Sequence, residues 1–215
     1  MSVLRRIESL LPEEIEKRSF EIISTELAKQ GIVIPKEQEM ITKRVIHTSA
    51  DFDYTKTLVF SENAVGIAKE LLINGADIVT DTNMALAGIH KKTLEKFGGK
   101  AHCFMADEAV ARLAKERGTT RAAVSMEMAS KLEKPVIFAI GNAPTALLQL
   151  YDMMQNNRWK PAFIIGVPVG FVNVEVAKEL IMETDVAYIV NRGRKGGSNV
   201  AAAICNALLY ELDRD

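Results

Sequence analysis

Four short apolar runs constrain the fold of this chain more than any other feature: Ile78-Val79-Thr80, Val136-Ile137-Phe138-Ala139-Ile140, Phe163-Ile164-Ile165 and Ala187-Tyr188-Ile189-Val190. Each is bounded by turn signals. Neighbouring side chains of a strand point to opposite faces, so a strand that is apolar throughout needs cover on both faces. Segments with helical spacing separate the runs: Ala106 to Arg117, Thr120 to Leu132, Ala143 to Asn156 and Asn173 to Glu183. Ala101 to Met105 reads as a fifth strand. The pattern predicts an α/β fold: a single domain over residues 1–215, with a mostly parallel sheet of about five strands covered by helices on both faces.

The N-terminal part differs and is expected to form a helical extension. Pro12 to Lys29 is an amphipathic helix with capping signals, Pro35 to Ile46 is a second, and a strand-poor stretch follows to Phe60. Ser61 to Asn74 then shows helical spacing, with Ser61 as the expected N-cap and Asn74-Gly75 as the stop. No repeat, low-complexity tract or linker divides the chain.

Composition narrows the partners. The 215 residues are 48% hydrophobic and 26% charged, with a formal net charge of −1. Such a chain has no global field to attract nucleic acid or an anionic membrane, so any anion site must be local. Cys103 and Cys205 are too few for a disulfide framework and read as reduced, buried thiols. Met1 to Arg18 has no apolar signal core, and no apolar run is long enough to span a bilayer. A soluble, cytoplasmic protein is expected.

The richest local chemistry follows the last strand, in Asn191-Arg192-Gly193-Arg194-Lys195-Gly196-Gly197-Ser198-Asn199, before an alanine-rich helix from Val200 to Leu209. Glycines let backbone N–H groups approach a ligand, and a helix start adds unpaired donors and partial positive charge. Arg192, Arg194 and Lys195 add full charges. This is an anion site for carboxylates or phosphates, or else a glycine turn with solvated cations.

In open α/β sheets, ligands bind outside the carboxyl ends of the strands. Asp81-Thr82-Asn83 follows the first run and leads into a short helix, Met84 to Ile89. Gly141-Asn142-Ala143-Pro144-Thr145 follows the second, with Asn142 placed to cap and Pro144 in the first turn. Gly166-Val167-Pro168-Val169-Gly170-Phe171 follows the third. Among the histidines, His90 reads as a helix-end surface residue, and His102 with Cys103 makes a poor chelate because they point to opposite faces of a strand. His47 ends a helical pattern just before Thr48-Ser49-Ala50-Asp51-Phe52-Asp53. A helix C-terminus and nearby aspartates favour imidazolium, which suits a general acid, or equally a C-capping side chain. Arg121 opens a helix behind the ready N-caps Thr119 and Thr120, where its charge opposes the helix dipole. No metal-ligand spacing, Walker loop, Gly-x-Gly-x-x-Gly or Gly-x-Ser-x-Gly is present.

Together, Arg44-Val45-Ile46-His47-Thr48-Ser49-Ala50-Asp51, Asp81-Thr82-Asn83-Met84 with Ala87-Gly88-Ile89, Thr120-Arg121, Ala139-Ile140-Gly141-Asn142-Ala143-Pro144-Thr145, Gly166-Val167-Pro168-Val169-Gly170-Phe171 and Arg192-Gly193-Arg194-Lys195-Gly196-Gly197-Ser198 resemble, in order and over nearly the whole chain, the motifs of the precorrin-8X methylmutase family. The resemblance implies an α/β homodimer without a prosthetic group, metal or other cofactor. It implies an isomerase that moves a methyl group from C11 to C12 of a corrin ring, giving hydrogenobyrinate or its cobalt counterpart. It places the catalytic histidine at His47 and substrate binding at Ser49, Thr82, Asn83, Arg121, Gly141, Asn142, Arg192, Arg194, Lys195, Gly196, Gly197 and Ser198. A large apolar macrocycle fringed with carboxylates suits dispersed cations around a broad cleft. Two other readings stand beside it: a non-enzymatic corrinoid or tetrapyrrole carrier, and a nucleotide- or sugar-phosphate-binding α/β enzyme.

Overall fold

The computed structural model describes residues 8–156 and 159–213. In chain order the elements are α1 (Pro12–Lys29), α2 (Lys36–Ser49), α3 (Tyr54–Thr57), β1 (Leu58–Phe60), α4 (Ala64–Ile73), β2 (Asp77–Thr80), α5 (Asn83–Gly88), α6 (Lys91–Lys96) and β3 (Ala101–His102). They continue with α7 (Glu108–Arg117), α8 (Arg121–Ala129), β4 (Val136–Ile140), α9 (Pro144–Gln155), β5 (Phe163–Gly166), α10 (Val174–Met182), β6 (Tyr188–Asn191) and α11 (Ser198–Leu212). The six strands form one sheet in the order β1-β6-β5-β4-β2-β3. All neighbours are parallel except β1, which pairs antiparallel with β6.

Strand β4 shows why the central runs are apolar at every position. Ile137 and Ala139 enter one core with Phe163, Ile165, Ile189 and side chains of α2, α4 and α11. Val136, Phe138 and Ile140 enter the other, with Val79, Ile164, Val190 and side chains of α8, α9 and α10. Complete burial of such a side chain contributes about 1.5–3 kcal/mol, so both faces of the sheet carry the stability of the fold. Helix α11 packs closely because Ala201, Ala202, Ala203 and Ala207 are buried small residues. A Cβ added to Gly88 of α5 would stand 2.9 Å from the Ala202 Cβ, so these two helices touch almost backbone to backbone.

The sheet has six strands where about five are expected. The additional strand is β1, inside the stretch read as strand-poor. It is three residues long and owes its extension to pairing of Leu58, Val59 and Phe60 with Asn191, Val190 and Ile189, not to local pattern. The run Ala101 to Met105 contracts to Ala101–His102. Its register pairs Val79 with His102, and β2 ends one residue later, which leaves Phe104 and Met105 opposite no strand.

Local capping also departs from expectation. The Ser61 hydroxyl does not cap α4; it accepts the Tyr188 N–H at 2.9 Å and lengthens the β1–β6 edge, while Asn63, left-handed at φ 49°, precedes the helix. Asn142 does not cap α9; Ala143 precedes it and Pro144 is its first residue. Helix α2 runs past Ile46 to Ser49, which puts His47 within its last turn, and Ala50 in a left-handed conformation releases the chain. Cys205 is buried, but Cys103 is only half-buried; both are free thiols. Burial pushes the Cys205 thiol up to about 12. Among the described residues, no helix is long and apolar enough to cross a membrane.

Candidate active site

The carboxyl ends of β2, β4, β5 and β6 carry four turns that bond to one another. Asp81, directly after β2, is fully buried, and its carboxylate accepts three backbone N–H groups: Gly141 at 2.8 Å, Asn142 at 2.8 Å and Ala143 at 2.5 Å. Burial pushes the Asp81 pKa up, and these three donors oppose that shift by stabilising the charged form. Thr82 caps α5 through the Ala85 N–H at 3.1 Å and shares a 2.7 Å hydrogen bond with Ser198 at the start of α11. The turn after β5 is bound on both sides. Val169 N–H reaches the Gly141 carbonyl at 3.4 Å, while Val167 O accepts Gly197 N–H at 2.9 Å and Gly170 N–H reaches Arg194 O at 3.2 Å.

Close backbone approach explains two of the glycines. A Cβ on Gly141 would stand 2.7 Å from the Ser198 Cα, and one on Gly196 would overlap the Val167 carbonyl. No larger residue lets the turns after β4, β5 and β6 meet in this way.

Two buried polar residues shape the loop after β6. Asn191 accepts from Thr57 Oγ1 at 2.6 Å and donates to the carbonyls of Arg192 at 3.1 Å and Lys195 at 2.8 Å. Lys178 of α10, 0% exposed, donates to the carbonyls of Gly193 at 2.7 Å and Lys195 at 2.9 Å. The Lys195 side chain turns to the segment after α2, donating to Asp51 at 2.6 Å and Asp53 at 2.7 Å. These aspartates hold the Lys195 ammonium above the usual lysine range, and Lys195 in turn holds Asp51 below the usual carboxylate range. Arg194 pairs with Glu175 at 3.1 Å and lies 5.6 Å from the centre of the Phe171 ring.

The predicted site residues fall into two groups. Thr82, Asn83, Gly141, Asn142, Arg192, Arg194, Lys195, Gly196, Gly197 and Ser198 share the strand-end edge. Arg121 joins them: Thr120 caps α8 and donates to Thr145 at 3.1 Å, which sets the exposed Arg121 beside the turn after β4. The Gly141 and Asn142 N–H groups are already bonded to Asp81, so the exposed Asn142 side chain is the free donor there. Exposed apolar side chains fringe this edge, with Met84 71%, Phe171 82% and Val172 78% exposed.

His47 and Ser49 form the second group, on the last turn of α2. The Ser49 hydroxyl donates to Val45 O at 2.7 Å. The exposed His47 ring stacks on Phe20 of α1, with centroids 5.6 Å apart and planes 25° from parallel, and makes no hydrogen bond among the described residues. It borders a groove of about 230 Å³ with Ile22, Ala50 and Phe52. A larger groove of about 850 Å³ runs along α1 past Phe20. The Lys195 contacts to Asp51 and Asp53 tie the two groups together, beside the packing of α2 on α11 and the Arg192 N–H bond to Thr57 O at 2.8 Å.

Asp81, Lys178 and Asn191 hold the site together, and sequence reasoning gave none of them a role. A signal existed for Lys178, which lies at helical spacing among the buried Val174, Ala177 and Ile181. A lysine on that face has to find acceptors. Among the described residues, no group of three His, Cys, Asp or Glu side chains is placed to hold a metal ion.

A model of the precorrin-8X methylmutase family matches residues 14–211. The cobalt-precorrin-8 methylmutase of Priestia megaterium is 41% identical over 202 residues, covering 94% of this chain and 89% of that protein. That of Salmonella typhimurium is 42% identical over 205 residues, covering 94% and 96%. A crystal structure of precorrin-8X methylmutase from Thermus thermophilus superposes with a TM-score of 0.83 at 34% identity, covering 94% of this chain and 98% of that one. The α/β fold with its mostly parallel sheet is the frame that this structure shares with the chain. The chain belongs to the precorrin-8X methylmutase family, isomerases of cobalamin biosynthesis.

Proposed function

We propose that this chain moves the C11 methyl group of a precorrin-8-type corrinoid to C12, with His47 as the general acid and the strand-end edge holding the substrate's carboxylates. The observation that carries this reading is the pair of ion contacts from Lys195 to Asp51 and Asp53, which tie the His47 helix end to the cationic loop. Protonation of the conjugated ring by His47 makes it electron-poor and eases migration of the methyl group. The proton returns to the imidazole once the new C–C bond is made, so the reaction is a balanced isomerisation. A single positioned acid supplies about 10²–10⁴-fold in rate, and orientation of the ring supplies the rest.

The apolar fringe of Met84, Val169, Phe171 and Val172 suits the macrocycle face, while Arg121, Arg192 and Arg194 suit its rim. For carboxylates, Arg194 has to exchange its bond to Glu175. The two curated relatives described above are named for the cobalt-containing form and the Thermus thermophilus structure for precorrin-8X, so both forms are substrates to test here.

The reading includes a two-fold homodimer with shared sites. Leu11, Ile15 and Ile22 stand exposed along α1, the helix whose grooves flank His47. A second copy that covers this face encloses the imidazole and a ligand that one strand-end edge leaves open. A cytoplasmic location accords with two free cysteines. The test is turnover of precorrin-8X and cobalt-precorrin-8 by purified protein, followed by the absorbance of the product. Absence of turnover with both forms, in protein that binds the product, leaves a carrier and overturns the catalytic reading.

A further inference from the structure

The only lysine among the described residues with no exposed surface stands behind the loop after β6, pointing at its carbonyl oxygens and not at solvent. Its two acceptors, Gly193 O and Lys195 O, lie on either side of Arg194. Asn191 binds the same Lys195 carbonyl from β6, so two buried donors fix one point of the loop. Burying a lysine is costly, and a loop needs no cation merely to turn, because Asn191 and the glycines already supply donors and conformational freedom. The Lys178 ammonium adds a positive charge that water screens poorly, directly behind Arg192, Arg194 and the N-terminus of α11.

We propose that Lys178 is a positioning residue for substrate binding: it holds the loop between Arg192 and Gly196 in its anion-binding shape and lends that loop a buried positive charge. This inference rests on the reading that the loop receives the substrate's carboxylates. Burial pulls the Lys178 pKa down to about 8, opposed by Glu175 on its own helix. β6 presents the neutral Asn191 to it, the loop presents carbonyl oxygens, and α9 packs on α10 through apolar Leu147, Leu150, Ala177 and Ile181. The charge behind the loop is therefore present below about pH 8 and lost above it. Because the folded value lies below that of an unfolded lysine, loss of this proton favours the folded state between the two values. A fall in affinity across that window is not unfolding.

The experiment is a titration of the purified protein with hydrogenobyrinate, read by absorbance, between pH 6.5 and 9.5. Wild-type affinity is expected to fall about 3–10-fold as pH rises through about 8. Lys178→Met keeps the length of the side chain but neither charge nor donors. It is expected to bind about 10-fold more weakly at pH 7, with a flat pH dependence, a raised KM and a nearly unchanged kcat. Arg192→Ala and Arg194→Ala are measured alongside. If neither weakens binding, the carboxylate-loop reading falls and this inference falls with it. If they weaken binding while wild-type affinity stays flat to pH 9.5, the role of Lys178 alone is overturned. The wild-type curve decides the matter even if Lys178→Met does not fold.

Discussion

Lys195 Nζ lies 2.6 Å from Asp51 Oδ2, a bond between residues 144 positions apart. It joins the two motifs to which the proposed function assigns the chemistry, the end of α2 and the loop after β6. The sequence reading assigned Lys195 to substrate; in the structure two of its three donors are engaged by Asp51 and Asp53, and one is left for a ligand. Together with the Arg192 N–H to Thr57 O bond at 2.8 Å, the clasp fixes the segment after α2 against the loop after β6.

His47→Ala and His47→Asn are expected to remove turnover by about 10²–10⁴-fold and to leave the fold and much of the product affinity intact. His47 is exposed and makes no hydrogen bond among the described residues, so its loss opens no cavity and orphans no buried partner there. Circular dichroism, product titration and turnover on the same preparations check this. Near wild-type turnover in both variants reduces His47 to a surface side chain on Phe20.

Lys195→Ala is expected to lower turnover more than stability, because exposed ion pairs contribute little to folding. The pH dependence has a defined sign. The Lys195 hydrogen bond, helped by the Asp53 N–H and opposed by partial burial, depresses the Asp51 pKa. The clasp therefore contributes fully above the unfolded carboxylate value of about 3.9 and is lost as pH falls through the lower folded value. The turnover of Lys195→Ala relative to wild type should therefore be the same at pH 5 and at pH 8. A loss confined to one end of that range contradicts the assignment.

Much of the architecture was legible because it depends on local pattern. β4 reads as a buried strand from Val136 to Ile140 with no knowledge of its neighbours, and α1 begins and ends where its capping signals lie. β1 was illegible because three residues carry no periodicity and acquire their conformation from β6. The site divides along the same line. Glycines, cations and Thr82 are visible as motif residues, whereas Asp81 gains its role only when folding brings Gly141, 60 positions away, to its carboxylate. His47 is legible as a candidate acid, but its stacking on Phe20 depends on how α1 returns over α2.

Asp81→Asn is expected to cost about 2–4 kcal/mol in chemical denaturation, since a carboxamide replaces a charged acceptor of three N–H groups and presents a donor to some of them. A change below about 0.5 kcal/mol means that water or a shifted turn takes over those donors.

Gly141→Ala is expected to cost about 1–3 kcal/mol and most of the activity, because the methyl group meets the Ser198 backbone, which cannot swing aside like a side chain. Denaturation midpoint and turnover should fall together. Wild-type turnover means that the turn after β4 and the start of α11 can part without consequence.

Mixing inactive His47→Ala protein with inactive Arg192→Ala/Arg194→Ala protein should restore no activity after subunits exchange, because the Lys195 clasp puts His47 and the loop of each site in one chain, and the partner supplies cover only. Recovery, with exchange confirmed by mass, means that His47 of one subunit serves the loop of its partner.

The two borders of the sheet have a consequence for how copies of this chain can meet. One border is β1, three residues long, and the other is β3, two residues long. Neither offers the row of free N–H and C=O groups by which sheets merge across molecules. Recruitment through continuous hydrogen-bonded ribbons is closed at both ends, and with it the usual route from a β-rich core to fibrils. Any self-association falls to side chains on helices, where specificity is written in shape and charge and can be altered one residue at a time.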